Sequence, residues 1–236
     1  MRSLRDFNTP KIPNWDIPIF IRLIQDLFPL YADNTATQVD EGLKAKVKQV
    51  CPSIKLVPQD EFVLKCLQLQ ELLDVRHSVM EMGPGGCGKT RIWQALKASH
   101  NIGHEKNKIC ISEIINPKAL TVDEIFGYMT LAKDWKDGVL SIIMRGMSKN
   151  DRDLGYKESQ TMKWIIFDGD VDTYWIESMN TVMDANKVLT LVSNERIDLT
   201  GQMRIICELD SLKNASPATV SRNGLLYINE SDVGWR

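Results

Sequence analysis

The chain has 236 residues, and with 43% hydrophobic and 25% charged residues it has the composition of an ordinary globular protein. Its 29 basic and 31 acidic residues give a net charge of −2, so nothing in the charge favours binding to nucleic acid or to a membrane surface. The most apolar N-terminal stretch, 17–30, is interrupted by Arg22, Gln25 and Asp26 and is too short to cross a bilayer, so membrane insertion is not indicated.

The cysteines are not spaced as metal ligands. None of the five stands in a C-x-x-C or Cys/His pattern, and most lie in apolar surroundings. They are therefore expected to be reduced thiols of a cytoplasmic protein.

The first 57 residues are predicted to be a connecting segment followed by helices. Apolar residues repeat at helical spacing from Ile19 to Phe28, which predicts an amphipathic helix over 18–28. A weaker repeat over 43–50 predicts a polar helix that Pro52 ends. A stronger helical stripe then begins a second region, 58–236, which carries the main nucleotide-binding signals.

A glycine-rich stretch follows the apolar run 78–82, which is predicted to be a short buried strand. It matches the phosphate-loop pattern G-x-x-x-x-G-K-[ST] at every fixed position, and it reads Gly83-Pro84-Gly85-Gly86-Cys87-Gly88-Lys89-Thr90. Its glycines let backbone N–H groups turn toward phosphate oxygens, and the helix predicted after it favours the same anion. Lys89 is expected to reach the β- and γ-phosphates and Thr90 to ligate Mg²⁺. The alternative is a glycine-rich turn that matches by chance, although the strand and helix stand where the mechanism requires them.

The segment after the loop is predicted to alternate strands and helices. A second buried strand is expected over 109–115, and Thr121 and Glu124 have the spacing of a capping box that opens a short helix. An inserted loop or hairpin is expected over 129–138, then a helix over 139–147. The densely charged stretch 149–160 is expected to be a mobile surface loop.

A second nucleotide signal lies at the end of the apolar run 163–167, which is predicted to be a strand. Asp168 follows this run, and a carboxylate there can hold Mg²⁺ through water beside a phosphate loop. The alternative is an acid that caps the following turn. Asp170 and Asp172 are expected to be turn-forming and helix-capping residues.

The remaining elements complete an α/β pattern. They are a helix over 174–184, a hairpin over 189–199, a strand over 203–207, a short helix from Pro217 to Arg222 with Ser216 as its N-cap, and a last strand over 224–228. This alternation predicts a mostly parallel sheet with helices on both faces, and a nucleotide at the carboxyl ends of the strands.

Four stretches together resemble dynein heavy chains of the axonemal type, and specifically the second of the six AAA+ modules of the motor ring. They are residues 83–90, 164–173, 175–184 and 214–224. The resemblance implies an AAA+ P-loop NTPase fold, namely the large α/β subdomain, that binds ATP or ADP with Mg²⁺ through the loop, Lys89, Thr90 and Asp168. It also implies that ATP is not hydrolysed, because Gly169 stands where AAA+ ATPases usually place a glutamate.

The resemblance implies further roles, each with a simpler alternative. Arg222 is similar to the arginine finger that a module extends to the nucleotide of the preceding module, but a lone arginine at a helix end often only complements the helix dipole. Pro18 and Ile19 are similar to the segment that covers the adenine, and the alternative is plain core. Glu208 stands near the position of a residue that senses the γ-phosphate in many AAA+ proteins.

Two further segments, 127–138 and 187–199, resemble inserts that meet the linker of the motor, and the alternative is ordinary surface hairpins.

The expected partners are neighbouring AAA+ modules and the linker of the same heavy chain, and, through a full-length chain, intermediate and light chains and microtubules. The expected location is the cytoplasm and the cytoskeleton of the cilium axoneme. The chain stops at Trp235-Arg236, where the family begins its helical lid, so a fragment or a truncated product is expected.

Two other hypotheses remain open at this point. One is a self-contained P-loop ATPase or kinase-like enzyme, and the other is a degenerate scaffold that binds nothing. Turnover of ATP separates the first from a regulatory module, and the intact Lys89, Thr90 and Asp168 argue against the second.

Overall fold

The computed structural model describes residues 8–13, 15–29, 40–104, 109–149 and 161–233. At its centre is a five-stranded parallel sheet of β1 (Ser78–Met82), β2 (Cys110–Ile115), β5 (Met162–Asp168), β8 (Met203–Leu209) and β9 (Gly224–Tyr227). The strand order is β2-β5-β8-β1-β9. The predicted parallel α/β sheet is confirmed, and β1 lies inside it between β8 and β9.

Helices precede and connect these strands, and several begin at the predicted caps. They are α1 (Ile17–Leu27), α2 (Glu41–Val50), α3 (Asp60–Val75), α4 (Lys89–His100), α5 (Val122–Phe126), α6 (Val139–Ser148), α7 (Thr173–Ser178), α8 (Asn180–Met183) and α9 (Pro217–Arg222). Thr121 and Glu124 form both bonds of a capping box at α5. The Ser216 hydroxyl accepts from the Thr219 N–H at the start of α9. No helix of these described stretches is long and apolar enough to cross a membrane.

The core is divided between the two faces of the sheet, because neighbouring residues of a strand point to opposite sides. Val79 belongs to a cluster with side chains of α3 and α4, whereas Met80 belongs to a cluster with side chains of α5 to α8. Both faces are therefore covered by helices, as the alternating sequence pattern predicts.

Two antiparallel hairpins project from this framework. One joins β3 (Gly127–Met129) to β4 (Trp135–Asp137), and the other joins β6 (Val188–Thr190) to β7 (Arg196–Asp198). Both predicted hairpins are confirmed. Arg145 of α6 connects them, because its guanidinium Nη2 lies 2.9 Å from Asp137 Oδ1 and 2.8 Å from Glu195 Oε2.

The structure differs from the predicted elements in two places. The single helix expected over 174–184 is broken at Met179, which is buried in the core and separates α7 from α8. The break brings Asn180 Oδ1 within 3.1 Å of the Thr219 hydroxyl that donates to it. Strand β8 continues two residues beyond the predicted end, because Glu208 and Leu209 pair with the last two residues of β1. Of the expected mobile loop, 150–160 lies outside the described residues.

Candidate nucleotide site

The phosphate loop connects the end of β1 to the start of α4, and its first glycine has no room for a side chain. The Gly83 N–H donates to the Leu209 carbonyl over 3.2 Å. A Cβ at this position would lie 2.7 Å from Cys87 Sγ and would collide with the carbonyl oxygen of Ile228. Glycine is therefore required where the chain leaves the sheet.

The later glycines of the loop serve its conformation and leave space above it. Gly86 and Gly88 have φ angles of 82° and 94°, in the left-handed region that favours glycine. A Cβ at Gly85 or Gly86 would have no neighbour within 4 Å, so the loop is open on that side. This open cradle of backbone at a helix start fits a chain of phosphates.

Lys89 lies in the first turn of α4, with its ammonium at the mouth of the loop. Its Nζ donates to the carbonyl oxygens of Gly83 and Pro84 over 2.5 and 3.1 Å, and to Asp210 Oδ1 over 2.9 Å. The side chain is only 10% exposed, whereas that of Asp210 is 57% exposed. The ammonium is thus held against the loop by hydrogen bonds to oxygen atoms, and phosphate oxygens can take the place of these acceptors.

Thr90 is bonded to an acid of β8. Its hydroxyl donates to Glu208 Oε2 over 2.6 Å, and Trp93 Nε1 donates to Glu208 Oε1 over the same distance. Glu208 is 4% exposed, beneath the loop. The place of Glu208 near a γ-phosphate sensor stays a prediction, and the acid that contacts Lys89 is Asp210, two residues further along the chain.

Three carboxylates form a row across the sheet at the carboxyl ends of its strands. Glu81 of β1 lies beside Glu208 of β8, which in turn lies beside Asp168 of β5. Adjacent strands are about 4.8 Å apart, and residues in register point to the same face. Asp168 is exposed, so the row runs from solvent into the core.

Burial changes the titration of the two inner acids. It raises the pKa of Glu208, and the charge of Asp168 adds to that effect, while the hydrogen bonds from Thr90 and Trp93 oppose it. Glu81 is completely buried, and neither of its carboxyl oxygens has a hydrogen-bond partner within the described residues. Burial, reinforced by the nearby Glu208 charge, raises the pKa of Glu81 well above its ordinary value.

The residues after Asp168 have structural partners. Gly169 has a φ of 156°, and a Cβ there would lie 3.3 Å from Pro117 Cδ. Asp170 binds Lys118 Nζ over 2.8 Å and accepts from the Asp210 N–H over 2.9 Å. The hydrogen bond from Lys118 is the main cause of its lowered pKa.

Asp172 accepts from the Tyr174 N–H over 3.2 Å and is the N-cap of α7. Its predicted capping role is confirmed. Asp170 instead ties the loop after β5 to the residue that follows β8.

The donor set at the loop fits Mg²⁺ with a nucleotide. Thr90 donates its only hydroxyl proton to Glu208, which leaves its oxygen lone pairs available. The Asp168 carboxylate makes no hydrogen bond or ion pair within the described parts of the chain and is free to hold a hydrated ion. Since no group of three or more His, Cys, Asp or Glu residues in these parts is arranged to hold a metal ion, Mg²⁺ would depend on phosphates and water for its other ligands.

One predicted site residue, Arg222, lies away from this group. Arg222 precedes β9, and the register of Gly224 with Val79 places it at the amino end of the sheet, opposite the phosphate loop. Its Nε lies 3.6 Å from Asp184 Oδ2. Pro18 and Ile19 lie on α1, where Ile19 is 68% exposed, so the alternative that this pair is plain core is wrong.

The sequence matches two families of known proteins. A family model described as AAA domain (dynein-related subfamily) matches residues 78–223, and one described as hydrolytic ATP binding site of dynein motor region matches residues 1–90. The second match contains the phosphate loop and stops before Asp168.

Similar proteins include dynein chains from three organisms. The chain is 50% identical over 236 residues to the ciliary dynein beta chain of Tripneustes gratilla and 48% identical over 236 residues to axonemal dynein heavy chain 9 of Homo sapiens. It is 42% identical over 237 residues to the flagellar outer arm dynein beta chain of Chlamydomonas reinhardtii. Each comparison covers 100% of this chain but only 5% of the relative.

Proposed function

The chain belongs to the dynein-related subfamily of AAA domains, and we propose that it is the second AAA+ module of an axonemal dynein heavy chain, which binds Mg-ATP or Mg-ADP without hydrolysing the nucleotide. The main support for nucleotide binding is the position of Lys89 and Thr90. They lie in the first turn of α4, directly after an open glycine loop and on the sheet face toward which Asp168 points. An ammonium, a hydroxyl and a carboxylate are thus available for phosphates and Mg²⁺.

The absence of hydrolysis is proposed from the residues that follow Asp168. Gly169 offers no carboxylate, Asp170 is held by Lys118 and by the Asp210 N–H, and Asp172 caps α7. About 1 Å of misplacement of a catalytic group can cost a hundredfold in rate. None of these acids is therefore expected to activate the attacking water.

Arg222 is proposed to act on the nucleotide of the preceding module. It lies at the end of the sheet away from its own phosphate loop, with about a third of its side chain exposed and a long contact to Asp184. An arginine supplied in trans stabilises the charge that develops on a transferring phosphoryl group, and it raises rates roughly 10³ to 10⁵-fold. In a full-length heavy chain, Arg222→Ala is expected to lower turnover at the first module without weakening nucleotide binding here.

The wider setting is proposed for the full heavy chain, of which this chain represents 5% in the relatives above. It comprises neighbouring AAA+ modules, the linker, intermediate and light chains, and microtubules of the cilium axoneme. The hairpins carry exposed apolar residues suited to contact with another segment, namely Met129, Leu131 and Val192. We propose that these hairpins meet the linker.

Two assays on the same preparation test this function. Calorimetric titration with Mg-ATP and Mg-ADP measures binding, and phosphate release measures turnover. Binding with background phosphate release is the expected result. Steady-state hydrolysis that Asp168→Ala abolishes would instead favour a self-contained P-loop ATPase.

A further inference from the structure

Glu208 joins the hydroxyl of Thr90 to the indole of Trp93, and each of its carboxyl oxygens has one of these partners. Both hydrogen bonds measure 2.6 Å, and the residues lie on β8 and on the first two turns of α4. Trp93 is 3% exposed, so its indole is fixed by the core around it. The carboxylate therefore has little freedom to turn away from Thr90.

The direction of the Thr90 bond determines what its oxygen can bind. A threonine hydroxyl has one proton to donate and two lone pairs. A carboxylate can only accept, so the Thr90 proton points to Glu208 and both lone pairs remain for a cation. If the proton pointed outward, a Mg²⁺ ion at this oxygen would meet it directly.

We infer that Glu208 is a positioning residue for Mg²⁺, which orients the Thr90 hydroxyl so that its lone pairs face the metal that accompanies a bound nucleotide. This inference rests on the proposed nucleotide-binding function and names the residue that prepares its metal ligand. Asp168 has a separate role, because its carboxylate has no hydrogen bond in the described structure and is free to act on the ion through water.

The substitution Glu208→Gln separates positioning from packing, because it keeps the shape and both hydrogen bonds. Trp93 Nε1 is only a donor, so the carbonyl oxygen of the substituted side chain must face it, and the amide NH₂ must face Thr90. Thr90 then accepts, and its own proton turns toward the loop. Loss of an outer-shell partner typically lowers metal affinity 10- to 100-fold.

The experiment measures the dissociation constant of ADP by calorimetry in Mg²⁺ and in EDTA, and its readout is the value in EDTA divided by the value in Mg²⁺. The parent chain is expected to bind more tightly with Mg²⁺, and Thr90→Ser to keep that ratio. Glu208→Gln is expected to lower the ratio 10- to 100-fold, or to about one, while the value in EDTA stays within about twofold. Thr90→Val should also lower the ratio to about one, and the double variant Thr90→Val, Glu208→Gln should show no further change. Glu113→Gln, on an exposed part of β2, is the matched control.

The outcomes distinguish this inference from the function on which it rests. A parent chain that binds no ADP in either buffer would overturn both. Equal binding of ADP by the parent in both buffers would leave nucleotide binding standing and overturn the inference.

The inference would also fail if Thr90→Val lowered the ratio to about one but Glu208→Gln left it at the parent value. It would fail as well if Glu208→Gln weakened ADP binding equally in both buffers. If Glu208→Gln did not fold, Trp93→Phe carries the test, since it frees one carboxyl oxygen and is expected to lower the ratio while sparing the EDTA value. An unchanged ratio in a folded Trp93→Phe chain would then overturn the inference.

Discussion

Lys89 donates to the carboxylate of Asp210 over 2.9 Å, so an acid that directly follows β8 occupies the ammonium that phosphates require. Asp210→Asn is expected to tighten Mg-ADP binding, because the competing charge is removed. The Asp210 side chain is 57% exposed, and an exposed pair is worth up to about 1 kcal/mol, which corresponds to about fivefold in affinity.

Calorimetry at low and high salt checks the Asp210 prediction, and the gain should shrink as salt screens the pair. Asp184→Asn is a suitable control, since it makes the same charge change at the opposite end of the sheet, beside Arg222. Tighter binding in both variants would show a general charge effect instead of release of Lys89.

Glu81 should make stability depend on pH. Its pKa is raised in the folded chain, so the folded state holds this proton more tightly than the unfolded state, in which the pKa is about 4.3. The free energy of unfolding should therefore fall as the pH rises above about 4.3 toward the raised value. Glu81→Gln removes this dependence, so the variant should become more stable relative to the parent as the pH rises above about 4.3.

Urea unfolding at several pH values measures this effect of Glu81. The exposed Glu113 provides the matched variant, and Glu113→Gln should follow the parent across the same range. Parallel curves for the parent and Glu81→Gln would show that Glu81 does not titrate abnormally.

Gly169 should resist restoration of a glutamate. Its φ of 156° is unfavourable for any side chain, and a Cβ would lie close to Pro117. Strained backbone of this kind costs about 1 to 3 kcal/mol, so Gly169→Glu should lower the melting temperature and leave phosphate release at background. Gly146→Ala, inside α6 with open space around it, should raise stability by about 0.5 to 1 kcal/mol.

A folded Gly169→Glu chain with normal stability and strong ATP hydrolysis would contradict both parts of this prediction. It would mean that the loop after Asp168 adapts to a side chain and that only the missing carboxylate prevents turnover. The comparison with Gly146→Ala ensures that the melting measurement can detect a change in either direction.

Arg145 is expected to make the two hairpins behave as one unit. Its guanidinium contacts Asp137 of β4 and Glu195 of the β6–β7 turn, and the hydrogen bond with Arg145 lowers the pKa of Asp137. Arg145→Ala should increase amide hydrogen exchange in both hairpins with little change in the central sheet. Exposed Arg196 of β7 is the control, and an Arg196→Ala chain that loosened both hairpins equally would contradict the role of Arg145.

Local features of this fold could be predicted from sequence, whereas contacts between distant strands could not. The phosphate loop, the capping box at Thr121 and the N-cap Ser216 each depend on residues within a few positions of one another. The bonds from Lys89 to Asp210 and from Thr90 to Glu208 join residues 121 and 118 positions apart.

The strand order that brings these distant residues together has no local signature. One signal was available, since Asp210 follows an apolar strand in the same way as Asp168. Carboxyl ends of parallel strands meet at one edge of a sheet, so both acids could have been expected near the loop.

The most direct test of the account is a calorimetric titration of Mg-ADP into the parent chain and into Lys89→Ala. The loss of a charge-assisted hydrogen bond costs about 1.5 to 3 kcal/mol, so the dissociation constant should rise roughly 10- to 100-fold in the variant. Thermal melting of both chains shows whether the fold is kept. Equal affinities in two folded chains would contradict the assignment of residues 83–90 as the nucleotide site.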